Sequence, residues 1–178
     1  MQEVKPSLDE SGNLVDIEYL STKTPKLNAF YWEALRYASG AASVRKVVES
    51  VEIGGRTLYK DAMVMLPVRP YHMSPDIFGD DCDEFVFDRF LRDGSEPGKP
   101  NPGVRSVRAF GGGSTLCPGR HFATNEIFSA VVMILNTFDI SLVDPSRPLV
   151  VPREEGATVS TLPPSEEVMV YIKLKEAK

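Results

Sequence analysis

Two cysteines in 178 residues are too few for a disulfide framework. Cys117 and His121 fall one turn apart in sequence, but one thiol and one imidazole fall short of a zinc site. The longest apolar run, around Phe128–Leu135, is far shorter than the ~20 residues that span a bilayer. No signal peptide and no membrane anchor are visible. Positive charge is not in excess: 20 Lys and Arg stand against 25 Asp and Glu, a net charge of −5. With no basic stripe and no interleaving of aromatic and basic residues, nucleic-acid binding is excluded as a reading. Internal repeats are absent.

The composition, 42% hydrophobic and 25% charged, suits one globular unit over residues 1–178 with a real core. Residues 1–24 are polar and turn-rich. The pattern predicts a helix over Leu27–Ala38, ended by Ser39-Gly40. Ser43–Ile53 reads as extended, Gly54-Gly55 as a hairpin turn, and Met63–Leu66 as a returning strand. Pro67, Pro70 and Pro75 leave only short helical turns. Residues 91–109 hold six prolines and glycines and read as a long irregular loop. A second long helix is predicted after Cys117, running to Thr137. Its apolar residues (Phe122, Ile127, Phe128, Val131, Val132, Ile134, Leu135) cover most of the circumference, as in a buried helix. Two β-prone runs in the tail, on either side of Pro163-Pro164, read as a small antiparallel sheet.

The chemistry concentrates in Phe110-Gly111-Gly112-Gly113-Ser114-Thr115-Leu116-Cys117-Pro118-Gly119. Glycines open the backbone to positive φ and leave room for a flat ligand. Pro118 suits a first helical position, which would set the positive end of the helix dipole beside the Cys117 sulfur and favour an anion there. The alternative is a glycine-rich helix entry with a buried, inert cysteine. Cys82, within Asp80-Asp81-Cys82-Asp83-Glu84, is flanked by acids that make it a poor nucleophile, so it reads as structural.

The run resembles the cysteine-ligand loop of the cytochromes P-450, the haem-thiolate monooxygenases, with pattern F-x-x-G-x-x-x-C-x-G. Phe110, Gly113, Cys117 and Gly119 match its fixed positions, and Arg120 and Ala123 continue the helix behind it. Two more motifs follow family order. Glu33-Ala34-Leu35-Arg36 is an E-x-x-R, which alone would pass as a helical ion pair. Phe87-Asp88-Arg89-Phe90 resembles the second arginine motif, with Asp88 where Glu is commoner. The resemblance implies a buried triad of Glu33, Arg36 and Arg89. Buried charges must be paired, and two forked guanidiniums on one carboxylate is a geometry lysine cannot supply.

The resemblance also implies a mainly α fold with small antiparallel sheets, corresponding to the C-terminal haem-binding part of the family domain. The long helix carrying an acid–alcohol pair, which the family uses to deliver protons to oxygen, would precede this portion. Cys117 is then the axial and catalytic ligand of haem b iron, with Gly119 and Arg120 amides available to its sulfur. Phe110, Gly111, Gly113 and Gly119 would surround the cofactor, though Phe110 could equally be core. The family often places Arg or His two residues before the cysteine to hold a haem propionate; here that residue is Thr115. Arg45 is the best replacement, against the alternative of a solvated strand arginine, with Arg108 and Lys46 behind it. His72 precedes the Ser74-Pro75 turn and reads as structural or propionate-side.

Gly40–Val44 and Ala157–Pro163 should line the substrate pocket. Ser114-Thr115 followed by Cys117-Pro118-Gly119-Arg120 most resembles the branch of oxysterol and bile-acid hydroxylases and prostacyclin synthase, implying a sterol or lipid substrate. The implied reaction inserts one oxygen atom from O2 into a C–H bond, with electrons from a reductase that Arg120 and Arg108 could help dock. A eukaryotic parent protein would sit at the endoplasmic-reticulum membrane. Two other readings stay open: a truncated fragment that binds haem without turnover, and a haem-free interaction module.

Overall fold

In a computed structural model of the chain, residues 3–9, 15–147, 150–152 and 160–176 are described. Helix α1 (Ile17–Lys23) begins at Asp16, whose carboxylate accepts the Tyr19 N–H at 2.9 Å, filling one of the orphan donors of a helix start. Pro25 opens α2 (Pro25–Ala38) at the first helical position, where its missing N–H costs nothing. Asn28 Nδ2 donates to the Leu20 and Thr24 carbonyls at 2.9 Å each, which fastens α2 to the end of α1.

The extended region divides into two short ribbons. Strand β1 (Ala42–Lys46) pairs antiparallel with β4 (Met63–Pro67). Between them, β2 (Val51–Ile53) pairs with β3 (Arg56–Leu58) across Gly54-Gly55. Both turn glycines have positive φ, 58° and 73°, as a two-residue hairpin turn requires. The predicted returning strand is therefore present, and β3 is an extra one ahead of it. Three residues show no periodicity for a sequence reading to detect.

Helices α3 (Val68–His72) and α4 (Pro75–Phe78) follow. From there to residue 119 the described backbone has only three-residue 3-10 turns, at Arg89–Leu91, Val104–Ser106 and Gly113–Thr115, in line with the proline and glycine content. The second long helix, α5 (Arg120–Thr137), passes directly into β5 (Phe138–Leu142), which pairs antiparallel with β6 (Val170–Leu174). The fold is mainly helical with small antiparallel sheets, as expected.

The apolar core lies where α1, α2 and α5 meet: Leu20, Tyr31, Phe128 and Val132 are buried together. Each contributes roughly 1.5–3 kcal/mol through removal from water. Tyr31 packs edge-on to Phe128 with ring centroids 5.1 Å apart, and its hydroxyl shares a 2.9 Å hydrogen bond with Thr124. Burial raises the Tyr31 pKa above its ordinary 10, against the pull of the Thr124 bond. The expectation of an all-round buried α5 is corrected. Phe128 and Val132 are buried, whereas Phe122, Ile127 and Ile134 are exposed, because the described elements reach only one side of it.

Candidate functional site

Two of the three sequence motifs meet in one buried ion cluster, and the third walls a cavity. The cluster joins α2 to the 3-10 turn Arg89–Leu91. Glu33, Arg36 and Arg89 are each fully buried. Arg36 Nε and Nη2 donate to the two Glu33 carboxylate oxygens at 2.8 Å each. Arg89 Nε bridges the same oxygens at 3.1 and 3.2 Å, and the Val86 N–H adds a bond of 2.8 Å. Most of the remaining guanidinium N–H groups go to backbone carbonyls. Arg36 Nη1 donates to the His72 and Cys82 carbonyls, and Arg36 Nη2 to that of Glu84. Arg89 Nη1 donates to the Phe78 carbonyl. No buried side-chain nitrogen or oxygen among the described residues lacks a partner. The cluster thus holds the C-terminal residues of α3 and α4, His72 and Phe78, and the turn positions Cys82, Glu84 and Val86.

Asp81 was not singled out in the sequence. Arg89 Nη1 donates to its Oδ1 and Arg92 Nη2 to its Oδ2, both at 2.5 Å. Burial alone would raise its pKa; the bonds and charges of Arg92 and Arg89 outweigh that and hold it at about 2. Charge balance was the available signal, since two buried guanidiniums and one carboxylate leave one positive charge uncompensated. The neighbouring Cys82 is buried and donates its S–H to the Met73 carbonyl at 3.1 Å, the structural role expected.

The Phe110 carbonyl accepts the Cys117 N–H at 3.0 Å and closes the cysteine loop. Within it, Gly111 and Gly113 have φ of 79° and 65°, a region closed to most side chains. Gly112 between them is extended at φ −174°. Pro118 is not the first helical residue. Gly119 caps α5, and Pro118 lies in the turn before it. The Arg120 N–H is directed at the Cys117 carbonyl, 3.4 Å away, rather than at the sulfur, and its Nη1 donates to the same carbonyl at 3.0 Å. Cys117 itself is half-buried. The Phe110 ring packs edge-on to Trp32 at 6.5 Å, and Trp32 on Tyr31 at 5.3 Å, so α2 supports the loop and α5 through one aromatic row.

A cavity of about 520 Å³ opens in front of this loop, walled by Gly111, Gly112 and Gly113, by Leu66, Pro67 and Tyr71, and by Arg45 and Arg108. Period-two alternation puts Ser43 and Arg45 on one face of β1, and both line the cavity. The Arg45 guanidinium reaches the Thr115 hydroxyl. Lys46 points the other way and pairs with Asp61 at 2.7 Å. Of the two segments expected to line a substrate pocket, Gly40 is bonded to Ser160 (N to O, 2.9 Å) and Ser39 bridges Thr161. Residues 157–159 lie outside the described residues. His121 is exposed, and no group of three metal-ligating side chains occurs among the described residues.

A sequence model of the cytochrome P-450 family matches residues 3–170. The chain belongs to that family. Pig cytochrome P-450 7A1 (Sus scrofa) is 28% identical over 98% of this chain and 38% of its own length. The human 7-alpha-hydroxycholest-4-en-3-one 12-alpha-hydroxylase (Homo sapiens) is 31% identical over 85% of this chain and 32% of its own. The solved structure of retinoic acid-bound cyanobacterial CYP120A1 matches at TM-score 0.71 and 24% identity. It covers 98% of this chain and 38% of that one, which establishes the cytochrome P-450 fold. The chain thus spans less than two fifths of the length of these family members. No helix among the described residues is long and apolar enough to cross a membrane.

Among the described residues, His72 is the remaining fully buried ionisable group. Burial first, then repulsion by Arg36 and Arg69, lowers its pKa from 6.5 to about 4, against the Arg36 carbonyl bond and the attraction of Glu33. The unfolded chain therefore takes up a proton below about pH 6.5 that the native chain refuses until about pH 4. Stability is flat above that window and falls through it as pH drops, by about 3 kcal/mol in full. Urea unfolding at pH 7 and pH 4.5 should show most of that loss, and a His72→Gln variant should not. Asp81 adds a further loss only below about pH 4.

Proposed function

We propose that this chain is the haem-binding portion of a cytochrome P-450 monooxygenase, with Cys117 as the thiolate ligand of haem b iron. The observation that carries this reading is the loop itself: Cys117 closes it through the Phe110 carbonyl, and its three glycines wall a cavity that two arginines also line. The donor set fits the group. A porphyrin needs a flat, side-chain-free wall, which Gly111, Gly112 and Gly113 provide, and cations for two carboxylates. Arg45 lies at the Thr115 position where the family often has its own cation, and Arg108 faces the same cavity. Phe110 and Gly119 flank the cysteine, as the sequence motif requires.

Haem bound through a thiolate supplies reductive O2 chemistry that inserts one oxygen atom into a C–H bond. The chain's own residues do the rest. Glu33, Arg36 and Arg89 hold the loops behind the site, and the aromatic row from Phe110 to Phe128 keeps the cysteine loop against α2. Residues 38–40 hold residues 160–162 through backbone bonds, which sets segments 40–44 and 160–163 side by side to face a lipophilic substrate. The names of the matched relatives and the Ser114–Arg120 run favour a sterol or related lipid, with a reductase as electron donor in a longer protein at the endoplasmic-reticulum membrane. The Arg120 guanidinium is engaged with the Cys117 carbonyl, which leaves it a poor docking cation.

Titration of the chain with haem should reach one equivalent. Arg45→Gln should weaken binding about tenfold, the equivalent of ~1.4 kcal/mol, and the difference should vanish with the dimethyl ester of haem. Haem uptake indifferent to both changes would remove Arg45 from the site, and no uptake would leave the chain a haem-free module.

A further inference from the structure

We infer that His72 is a positioning residue: as a neutral imidazole with a fixed tautomer, it registers the start of the cysteine loop on α2. It ends α3 with no exposed surface. Its Nε2 lies 2.8 Å from the Arg108 backbone nitrogen, and its Nδ1 lies 3.0 Å from the Arg36 carbonyl oxygen. A backbone N–H can only donate and a carbonyl can only accept. Nε2 must therefore carry the lone pair, and Nδ1 the proton. Both ring nitrogens are committed, one to Arg36 of the E-x-x-R motif and one to Arg108, two residues before the cysteine loop begins.

The grip is reciprocal. Arg36 Nη1 donates back to the His72 carbonyl at 2.9 Å, so the buried cluster holds the histidine from both ends. Phe78 and Tyr71 pack on the ring at 5.7 and 5.8 Å. Beyond Arg108 the path continues through its carbonyl to the Gly111 N–H at 2.9 Å. Three hydrogen bonds thus run from Arg36 to the first glycine of the loop. The Arg108 side chain and that glycine both wall the cavity, so the bridge places a cation and a backbone segment together. An apolar residue of the same size would fill the space and leave the Arg36 carbonyl and the Arg108 N–H without partners. This inference rests on the proposed haem site only for its consequence; the bridge itself is a property of the chain alone.

The test uses the full chain, which has two histidines, so imidazole 15N spectra assign directly. At pH 7, His72 should show a protonated Nδ1 and a bare Nε2. The Arg108 amide should exchange slowly, and His72→Phe should speed that exchange more than about tenfold while α5 amides hold. His72→Gln, which keeps one donor and one acceptor, should restore part of the protection. In the haem-loaded chain, His72→Phe should lower the share of the red-shifted ferrous carbon monoxide band, and His72→Gln should recover it. A protonated Nε2, or Arg108 exchange unchanged in a folded His72→Phe, overturns the bridge. If His72→Phe does not fold, the wild-type tautomer decides. Failure of Cys117 to ligate iron would leave the exchange result intact, so the two readings fail separately.

Discussion

Replacing Glu33 with glutamine should cost about 3–5 kcal/mol, the range for removing one partner of a buried ion pair. The substitution keeps the shape of the side chain and removes its charge. Two guanidiniums with no solvent exposure then share Asp81 alone, and only Arg89 reaches it. The glutamine amide also turns a donor toward guanidinium N–H groups that need an acceptor. These groups position the carbonyls of His72 and Phe78 at the ends of α3 and α4, and of Cys82 and Glu84 in the turns beyond. The damage should therefore spread through the stretch before the cysteine loop. A single domain holds about 5–15 kcal/mol in all, so the variant should lose its cooperative urea transition or show it at much lower denaturant. A transition within about 1 kcal/mol of wild type would mean the cluster is not what holds these loops.

Cys117→Ala should behave in the opposite way. The bond that closes the loop runs from the Cys117 backbone N–H to the Phe110 carbonyl, and alanine keeps it. Cys117 is half-buried and is not part of the core cluster of Leu20, Tyr31, Phe128 and Val132 or of the residues packed against it. Unfolding free energy should shift by no more than about 1 kcal/mol, the usual range for a surface-side change. Thiolate ligation should vanish altogether. Together the two variants separate folding from function: one removes the frame and keeps the ligand, the other does the reverse.

The long elements were legible because their signals are repeated. Helix α2 was read as Leu27–Ala38 with Ser39-Gly40 at its end, and the structure gives Pro25–Ala38, the start two residues earlier at a proline that suits a first helical position. The cysteine loop and both arginine motifs could be read because fixed spacings constrain chemistry. What escaped was carried by the backbone. His72 acts through a carbonyl and an amide that every residue possesses, so its spacing to Arg36 and Arg108 has no signature. Asp81 was hidden among acids that looked alike until Arg89 and Arg92 selected one of them. Pro118 misled because a proline serves equally in a turn, and the Cys117 carbonyl takes the Arg120 N–H there.

The measurement that bears most directly on the haem site is the visible spectrum of the haem-loaded chain, reduced and exposed to carbon monoxide, for wild type and Cys117→Ala. A strongly red-shifted Soret band in the wild type and its absence in the variant is the expected result, because only a thiolate at Cys117 produces the shift. A band at the same place in both, or haem uptake with no shift in either, would contradict it and assign the iron to another ligand or to none.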